Sequence, residues 1–258
     1  MRSLKIIIQM KILLSNDDGY FAPGLQALRL GLADDAELLT VAPNRDYSGA
    51  SNSLTLTNPL RLSAHGENLY SVDGTPTDCV HLALTGLYDS PPDVVIAGIN
   101  SSPNLGDDVI YSGTVAAATE GRNLGLPALA VSCCGSGGDK HYQTAVEAVR
   151  VLLAKLNSLK INAQTILNVN VPNIPWSEVK GFKVTRLGRR HHAEPVIRAE
   201  DPRGREIFWI GPVGEQLDAG EGTDFHAVEQ GYVSITPLHI DLTQYQAITS
   251  TEQWLQEL

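Results

Sequence analysis

The sequence predicts an α/β fold, a mainly parallel sheet with helices on both faces. Three observations predict it. Short apolar runs recur along the first two-thirds of the chain, helix-periodic segments separate them, and after about Pro172 the pattern changes to short strands between Gly/Pro-rich loops. The strands are Lys11-Ile12-Leu13-Leu14, Glu37–Val41, Asp93–Ala97, Ala128–Val131 and Ile166–Val171. Several are almost unbroken in apolar residues, the habit of strands covered on both faces. Of the helices, Pro23 to Asp34 comes first. The second opens at Thr75-Pro76-Thr77-Asp78, where Thr75 caps, Pro76 suits the first turn and Asp78 stands three residues beyond the cap. Val80, Leu84 and Leu87 then share a face. Thr114 to Asn123 and Tyr142 to Leu156 follow. Beyond Pro172, Phe182–Thr185, Ile207–Ile210 and Tyr232–Ile235 are strand-like, and an amphipathic segment from Thr251 to Leu258 ends the chain. This tail has few apolar residues per strand, so it is expected to pack on the core or on a second subunit rather than fold alone.

Composition narrows the function classes. A chain of 258 residues with 43% apolar side chains suits one large domain, or a domain with an appendage, and argues against disorder. Nineteen Lys and Arg against 29 Asp and Glu leave a net charge of −10. That balance argues against general nucleic-acid binding and against anionic membranes. An anionic substrate would need a metal or helix N-termini to receive it. The cysteines Cys79, Cys133 and Cys134 are odd in number and two are adjacent, so the sequence carries no disulfide framework, and a reducing cytoplasm is expected. The longest apolar stretch, near Ile6 to Leu14, is interrupted by Gln9 and Lys11. It is shorter than the roughly 20 residues of a membrane span and lacks a small-x-small cleavage site. Met10 reads as an alternative start, with residues 1–9 an extension.

Three loops, each leaving a strand, carry the candidate chemistry. Ser15-Asn16-Asp17-Asp18-Gly19 follows the first strand, where a doubly wound sheet lines its ligand crevice. Adjacent carboxylates there repel and lose hydration, which a divalent cation compensates. The same tetrad is equally good turn chemistry. Pro43 to Ser53 is rich in hydroxyls and amides, and by itself reads as an ordinary solvated loop. Gly98 to Thr114 is long and built of small and amide-bearing residues, and it enters a helix whose first N–H groups favour an anion. In a parallel sheet all three project from one edge. Together they offer oxygen donors only, which suits Mg²⁺, Mn²⁺ or Ca²⁺ rather than zinc or copper. A hard cation beside a helix N-terminus makes a phosphate site, locally positive in an acidic protein.

Other features read more plainly. Cys133-Cys134 is expected to be buried and structural. Arg189-Arg190-His191-His192 reads as a solvated arm or subunit contact, with phosphate binding the alternative. Gly135-Ser136-Gly137-Gly138 is a turn and not a dinucleotide fingerprint, and no G-x-x-x-x-G-K-[ST] is present.

Four segments resemble the SurE family of stationary-phase survival proteins: Asn16-Asp17-Asp18-Gly19, Ser48-Gly49-Ala50-Ser51-Asn52-Ser53, Gly74-Thr75-Pro76-Thr77-Asp78, and Asn104-Leu105-Gly106-Asp107-Asp108 running on to Tyr111-Ser112-Gly113-Thr114-Val115. Asp201-Pro202-Arg203-Gly204, Gly222-Thr223-Asp224-Phe225 and Gly231 to Leu238 extend the likeness from about Met10 to the C-terminus. The resemblance implies a cytoplasmic, metal-dependent phosphomonoesterase acting on nucleoside 5′- and 3′-monophosphates, with short polyphosphate a further substrate of some members. It implies a Rossmann-like fold whose C-terminal β-rich arm exchanges between subunits of a homodimer or homotetramer. It also implies one divalent cation per subunit, Mg²⁺ or Mn²⁺, held by Asp17, Asp18, Ser48 and Asn100. Asp17 and Asp18 would be the catalytic pair, and Asn52, Asn104, Ser112, Gly113 and Thr114 would meet the substrate. The chain then divides into residues 1–9 as the extension, 10–180 as the catalytic core, and 181–258 as a β-hairpin and helix arm on core and partner. One departure is Ser102, where the family has Gly; a required positive φ there would shift the loop. Water is the favoured nucleophile over an aspartate. Two aspartates at alternate positions would mark an aspartyl-phosphate hydrolase, and here they are adjacent. The rival of another class is a non-catalytic nucleotide sensor using the same crevice, and a third reading makes the arm a scaffold.

Overall fold

The computed structural model describes residues 10–88, 90–135, 139–190, 195–211 and 213–256. The expected extension at 1–9, the residues Ser136 to Gly138, and His191 and His192 lie outside them. The strands in chain order are β1 (Lys11–Ser15), β2 (Glu37–Pro43), β3 (Leu62–Gly66), β4 (Leu69–Val72), β5 (Val94–Asn100), β6 (Ala128–Cys134), β7 (Ile166–Pro172), β8 (Phe182–Val184), β9 (Arg189–Arg190), β10 (Ile197–Glu200), β11 (Glu206–Trp209), β12 (Gln216–Asp218) and β13 (Val233–Leu238). The helices are α1 (Pro23–Leu32), α2 (Pro76–Leu82), α3 (Gly113–Glu120), α4 (Tyr142–Leu156), α5 (Asp224–Glu229) and α6 (Tyr245–Leu255).

The main sheet runs β3-β4-β2-β1-β5-β6-β7-β13-β8. Its six consecutive parallel strands, β4-β2-β1-β5-β6-β7, have the Rossmann order 3-2-1-4-5-6 when counted along the chain. The order reverses between β1 and β5, which makes their carboxyl ends the topological switch point. The apolar runs alternate between two cores. Ile12, Leu14 and Ile96 face α1 and α4, whereas Leu13, Val95 and Ala97 face α2 and α3. Burying each of these Ile, Leu and Val side chains stabilises the fold by about 1.5–3 kcal/mol. The second helix is capped as the sequence predicts: the Asp78 N–H donates to Thr75 Oγ1 at 3.1 Å, and the Thr75 N–H donates to Asp78 Oδ2 at 2.8 Å.

The structure differs from the sequence reading in several places. The β3–β4 hairpin was not predicted, because β3 is exposed throughout and has no apolar alternation; its turn uses Asn68 at φ +53°. The last helix starts at Tyr245 rather than Thr251, since its first turn is polar and none of its residues is buried. Residues expected to form the arm also join the main sheet. β13 pairs antiparallel with β7 and parallel with β8, so the last third of the chain lends two strands to the core. The β10–β11 hairpin and the β9–β12 pair stand outside that sheet.

Candidate functional site

The site grows from the exit of β1. Asn16 Nδ2 donates to the Gly19 carbonyl at 2.8 Å, and Gly19 takes φ +103°. The Asn-Asp-Asp-Gly tetrad is therefore a closed turn, and the closure leaves both aspartates available. Asp17 is buried, and its Oδ1 accepts the Thr114 hydroxyl at 2.5 Å. Asp18 accepts from the Ser101 N–H at 3.1 Å. Burial pushes Asp17 up to about 6 from 3.8 against the Thr114 hydrogen bond, with Asp18 and Asp46 adding repulsion. Burial also raises Asp18, and Asp46 adds to it.

The exit of β5 supplies Asn100. Between Ala97 and Asn100 the register with β6 slips by one residue, a bulge that re-aims the strand end. Asn100 Nδ2 donates to the Ser102 carbonyl at 2.8 Å, which leaves the amide oxygen Oδ1 as the atom that can accept a hydrogen bond or ligate a cation. Ser102 does not have a positive φ, so the change from Gly is accommodated without backbone strain. After β2, the Tyr47 N–H donates to the Asp17 carbonyl at 2.9 Å, tying that loop to the β1 exit. Asp46 Oδ1 accepts both the Ser48 N–H at 2.7 Å and the Ser48 hydroxyl at 2.6 Å, an Asx turn that orients the hydroxyl.

Asp17, Asp18, Ser48 and Asn100 line one cavity of about 400 Å³, together with Asp46, Ser101 to Asn104, Asp108, Tyr111 and Ser112. Its wall contains four carboxylates and, among the described residues, no Lys or Arg. Among the described residues no group of three or more His, Cys, Asp or Glu stands ready to hold a metal. The quartet has only two carboxylates, completed by a hydroxyl and an amide oxygen. This all-oxygen, uncompensated donor set fits a hard divalent cation.

The remaining expected contacts divide. Ser112 lines the cavity and caps α3, its Oγ accepting from the Val115 N–H at 3.0 Å. Thr114 is wholly buried and supports Asp17 from behind. A Cβ on Gly113 would lie 2.7 Å from Asp17 Cβ, so glycine is needed for close approach there. Asn52 is exposed and is not among the cavity-lining residues. Asn104 lines the cavity while its Nδ2 donates to Ser132 Oγ at 2.8 Å. Its backbone is locked by β7: the Asn104 carbonyl accepts from Asn168 and Asn170 at 2.8 and 2.9 Å, and its N–H donates to Asn170 Oδ1 at 3.0 Å. Sequence reasoning missed Asp46, Asn168 and Asn170. The signals were the Asp-x-Ser turn pattern and two asparagines alternating within an otherwise apolar strand. The three cysteines are buried and free, and burial raises their thiols. Arg190 is held by Asp108 at 2.6 Å.

Comparison with known proteins places this geometry in context. The family described as Survival protein SurE matches residues 12–194. The chain is 57% identical over 249 residues to the 5′-nucleotidase SurE of Alkalilimnicola ehrlichii, covering 96% of each chain. It is 59% identical to the 5′-nucleotidase SurE of Methylococcus capsulatus, covering 95% of this chain and 98% of that one. The crystal structure of a SurE protein from Aquifex aeolicus superposes with a TM-score of 0.82 at 44% identity, covering 95% of this chain and 99% of the other.

Proposed function

The chain belongs to the SurE survival-protein family, and from that membership we propose that it is a metal-dependent phosphomonoesterase releasing phosphate from nucleoside 5′-monophosphates. The relatives' activity supports the reading. The observation that carries it is the convergence of Asp17 and Asp18 from β1 with Asn100 from β5 at the switch point. Nucleoside 3′-monophosphates and short polyphosphate are proposed as further substrates on the family resemblance.

Asp17, Asp18, Ser48 and Asn100 would hold one Mg²⁺ or Mn²⁺. When bound, such a cation supplies polarisation of the phosphoryl group and acidification of water. Thr114 keeps Asp17 ionised and aimed, and Asp46 does the same for the Ser48 hydroxyl. The first N–H groups of α3, which the helix itself leaves unpaired, and Ser112 hold the phosphoryl oxygens. Water attacks phosphorus, the ester P–O bond breaks, and the nucleoside oxygen leaves with a proton.

Two further readings complete the proposal. Phe208, Trp209 and Ile210 are exposed on the arm, and α6 buries none of its residues. Both favour a homodimer or homotetramer in which the arm packs on a partner. The three free cysteines favour the cytoplasm. The test is phosphate release from a panel of nucleoside monophosphates with Mn²⁺ or Mg²⁺, then with EDTA, beside Asp17→Asn. Release that needs metal and vanishes in Asp17→Asn is the expected result. Binding without release by a metal-loaded protein would replace the hydrolase with a sensor.

A further inference from the structure

The cavity that must receive a phosphomonoester is also lined by a fourth carboxylate, Asp108, outside the proposed cation quartet. Among the described residues, one cation reaches that carboxylate, and it comes from the arm. Arg190 Nε donates to Asp108 Oδ2 at 2.6 Å, with the Arg190 side chain only 16% exposed. The approach is built from several directions. The Arg190 backbone N–H donates to Asp107 Oδ1 at 3.0 Å, Nη1 donates to the Gly214 carbonyl at 3.4 Å, and the guanidinium lies 4.9 Å from the centre of the Phe225 ring. Beneath them, the buried Asp224 carboxylate accepts the Gly106 N–H at 2.7 Å and the Gly188 N–H at 2.8 Å, so it holds the cavity turn and the arm base together. Gly106 takes φ +58°, and a Cβ there would meet the Phe225 ring at 2.7 Å.

We propose that Arg190 is a positioning residue that neutralises Asp108 in the cavity wall and so admits a doubly charged phosphomonoester. The proposal rests on the nucleotide reading above and adds the arm to the substrate site. A bare Asp108 would repel phosphate while attracting the divalent cation, so removing Arg190 moves the two affinities in opposite directions. Misfolding of the loop would weaken both. Lysine is a poor substitute, because the planar guanidinium pairs with the carboxylate and lies against Phe225 at once.

The experiment is calorimetric binding on the full chain, of Mn²⁺ alone and then of a nucleoside monophosphate with Mn²⁺ present. It compares wild type, Arg190→Ala, Asp108→Asn and the double variant. One uncompensated charge in so small a cavity weakens the nucleotide about tenfold in Arg190→Ala, while Mn²⁺ binds no more weakly than in wild type. The double variant returns to within about twofold of wild type, and Asp108→Asn alone binds nucleotide more tightly. Asp108→Asn keeps the test open should Arg190→Ala fail to fold. Nucleotide affinity in Arg190→Ala within about twofold of wild type would overturn the proposal. So would a double variant as weak as Arg190→Ala, or Mn²⁺ affinity falling in step with nucleotide affinity. Phosphate release by wild type is scored separately. Nucleotide binding without release removes the hydrolase and leaves the Arg190 result standing, and a wild type that binds no nucleotide overturns both.

Discussion

The Thr114 hydroxyl, at the start of α3, donates to Asp17 Oδ1 across 2.5 Å, and both residues are buried. A hydrogen bond to the ionised form favours a carboxylate that burial would otherwise protonate. Thr114→Val keeps the shape and removes the donor. It is expected to lower Mn²⁺ affinity about tenfold, in line with hydrogen bonds to charged groups, while Thr114→Ser retains most of it. Gly113→Ala should act on the same carboxylate by contact, since its Cβ would press on Asp17. Calorimetric Mn²⁺ titration of the three variants decides the matter, and unchanged affinity in Thr114→Val would remove the hydroxyl from the account.

Asp17 is costly to the metal-free fold. Its folded value of about 6 lies above the reference 3.8, so the folded state binds the proton more tightly, and this group's contribution to stability falls as pH rises from 3.8 to about 6. Above that window the ionised side chain costs at most about 3 kcal/mol. Asp17→Asn is therefore expected to be more stable than wild type in EDTA at pH 7.5, with the difference shrinking as pH falls towards 4.5. Added Mn²⁺ should reverse the ranking by binding only the wild type. Denaturant melts at the two pH values measure this, and equal stability at pH 7.5 would contradict it.

Asp46 touches the Ser48 amide and hydroxyl through a single oxygen, Oδ1. Asp46→Asn keeps an acceptor there, whereas Asp46→Ala frees the hydroxyl. Alanine should weaken Mn²⁺ binding about tenfold or more, the usual cost of losing a group that orients a ligand. Asparagine should cost less. Equal losses in both variants would mean that the charge of Asp46 matters and its geometry does not.

Thr75 joins α2 to the loop that carries Ser48. Its hydroxyl accepts from the Asp78 N–H and donates to the Ser53 carbonyl at 2.7 Å. Thr75→Ala is expected to lose about 1–2 kcal/mol of stability, the cost of a helix cap, read by urea denaturation. Burial raises Asp78, but hydrogen bonds from Thr55 and Thr75 outweigh it and hold the carboxyl below 3.8. Its stabilisation is therefore present above pH 3.8 and is lost as pH falls through the lower folded value. Asp78→Asn should flatten that acid limb, and an unchanged limb would count against the capping box.

Much of the site could be read in sequence because its parts are local. A turn such as Asn16 to Gly19 and a cap such as Thr75 to Asp78 are set by neighbours three residues apart, and the apolar runs carry the sheet. Asp46 was within reach of the same reasoning, since its partner is two residues away. The alternation of Asn168 and Asn170 in an apolar strand marked them as unusual, but what they hold is Asn104, more than sixty residues earlier, which no local spacing names. The β3–β4 hairpin escaped because an exposed strand needs no apolar pattern; β13 was legible as a strand, but its place beside β7 is decided by antiparallel pairing across the sheet.

The sequence by itself determined the α/β class, the starts of the first, second and fourth helices and the oxygen-only character of the three loops that leave the strands. These depend on composition and on periods of two to four residues. Tertiary structure decided which carboxylates share a cavity, that the Thr114 hydroxyl serves Asp17, and that Arg190 from the arm meets Asp108. Those relations join segments some eighty to a hundred residues apart. Burial and strand order bring such segments together, and no local spacing encodes them.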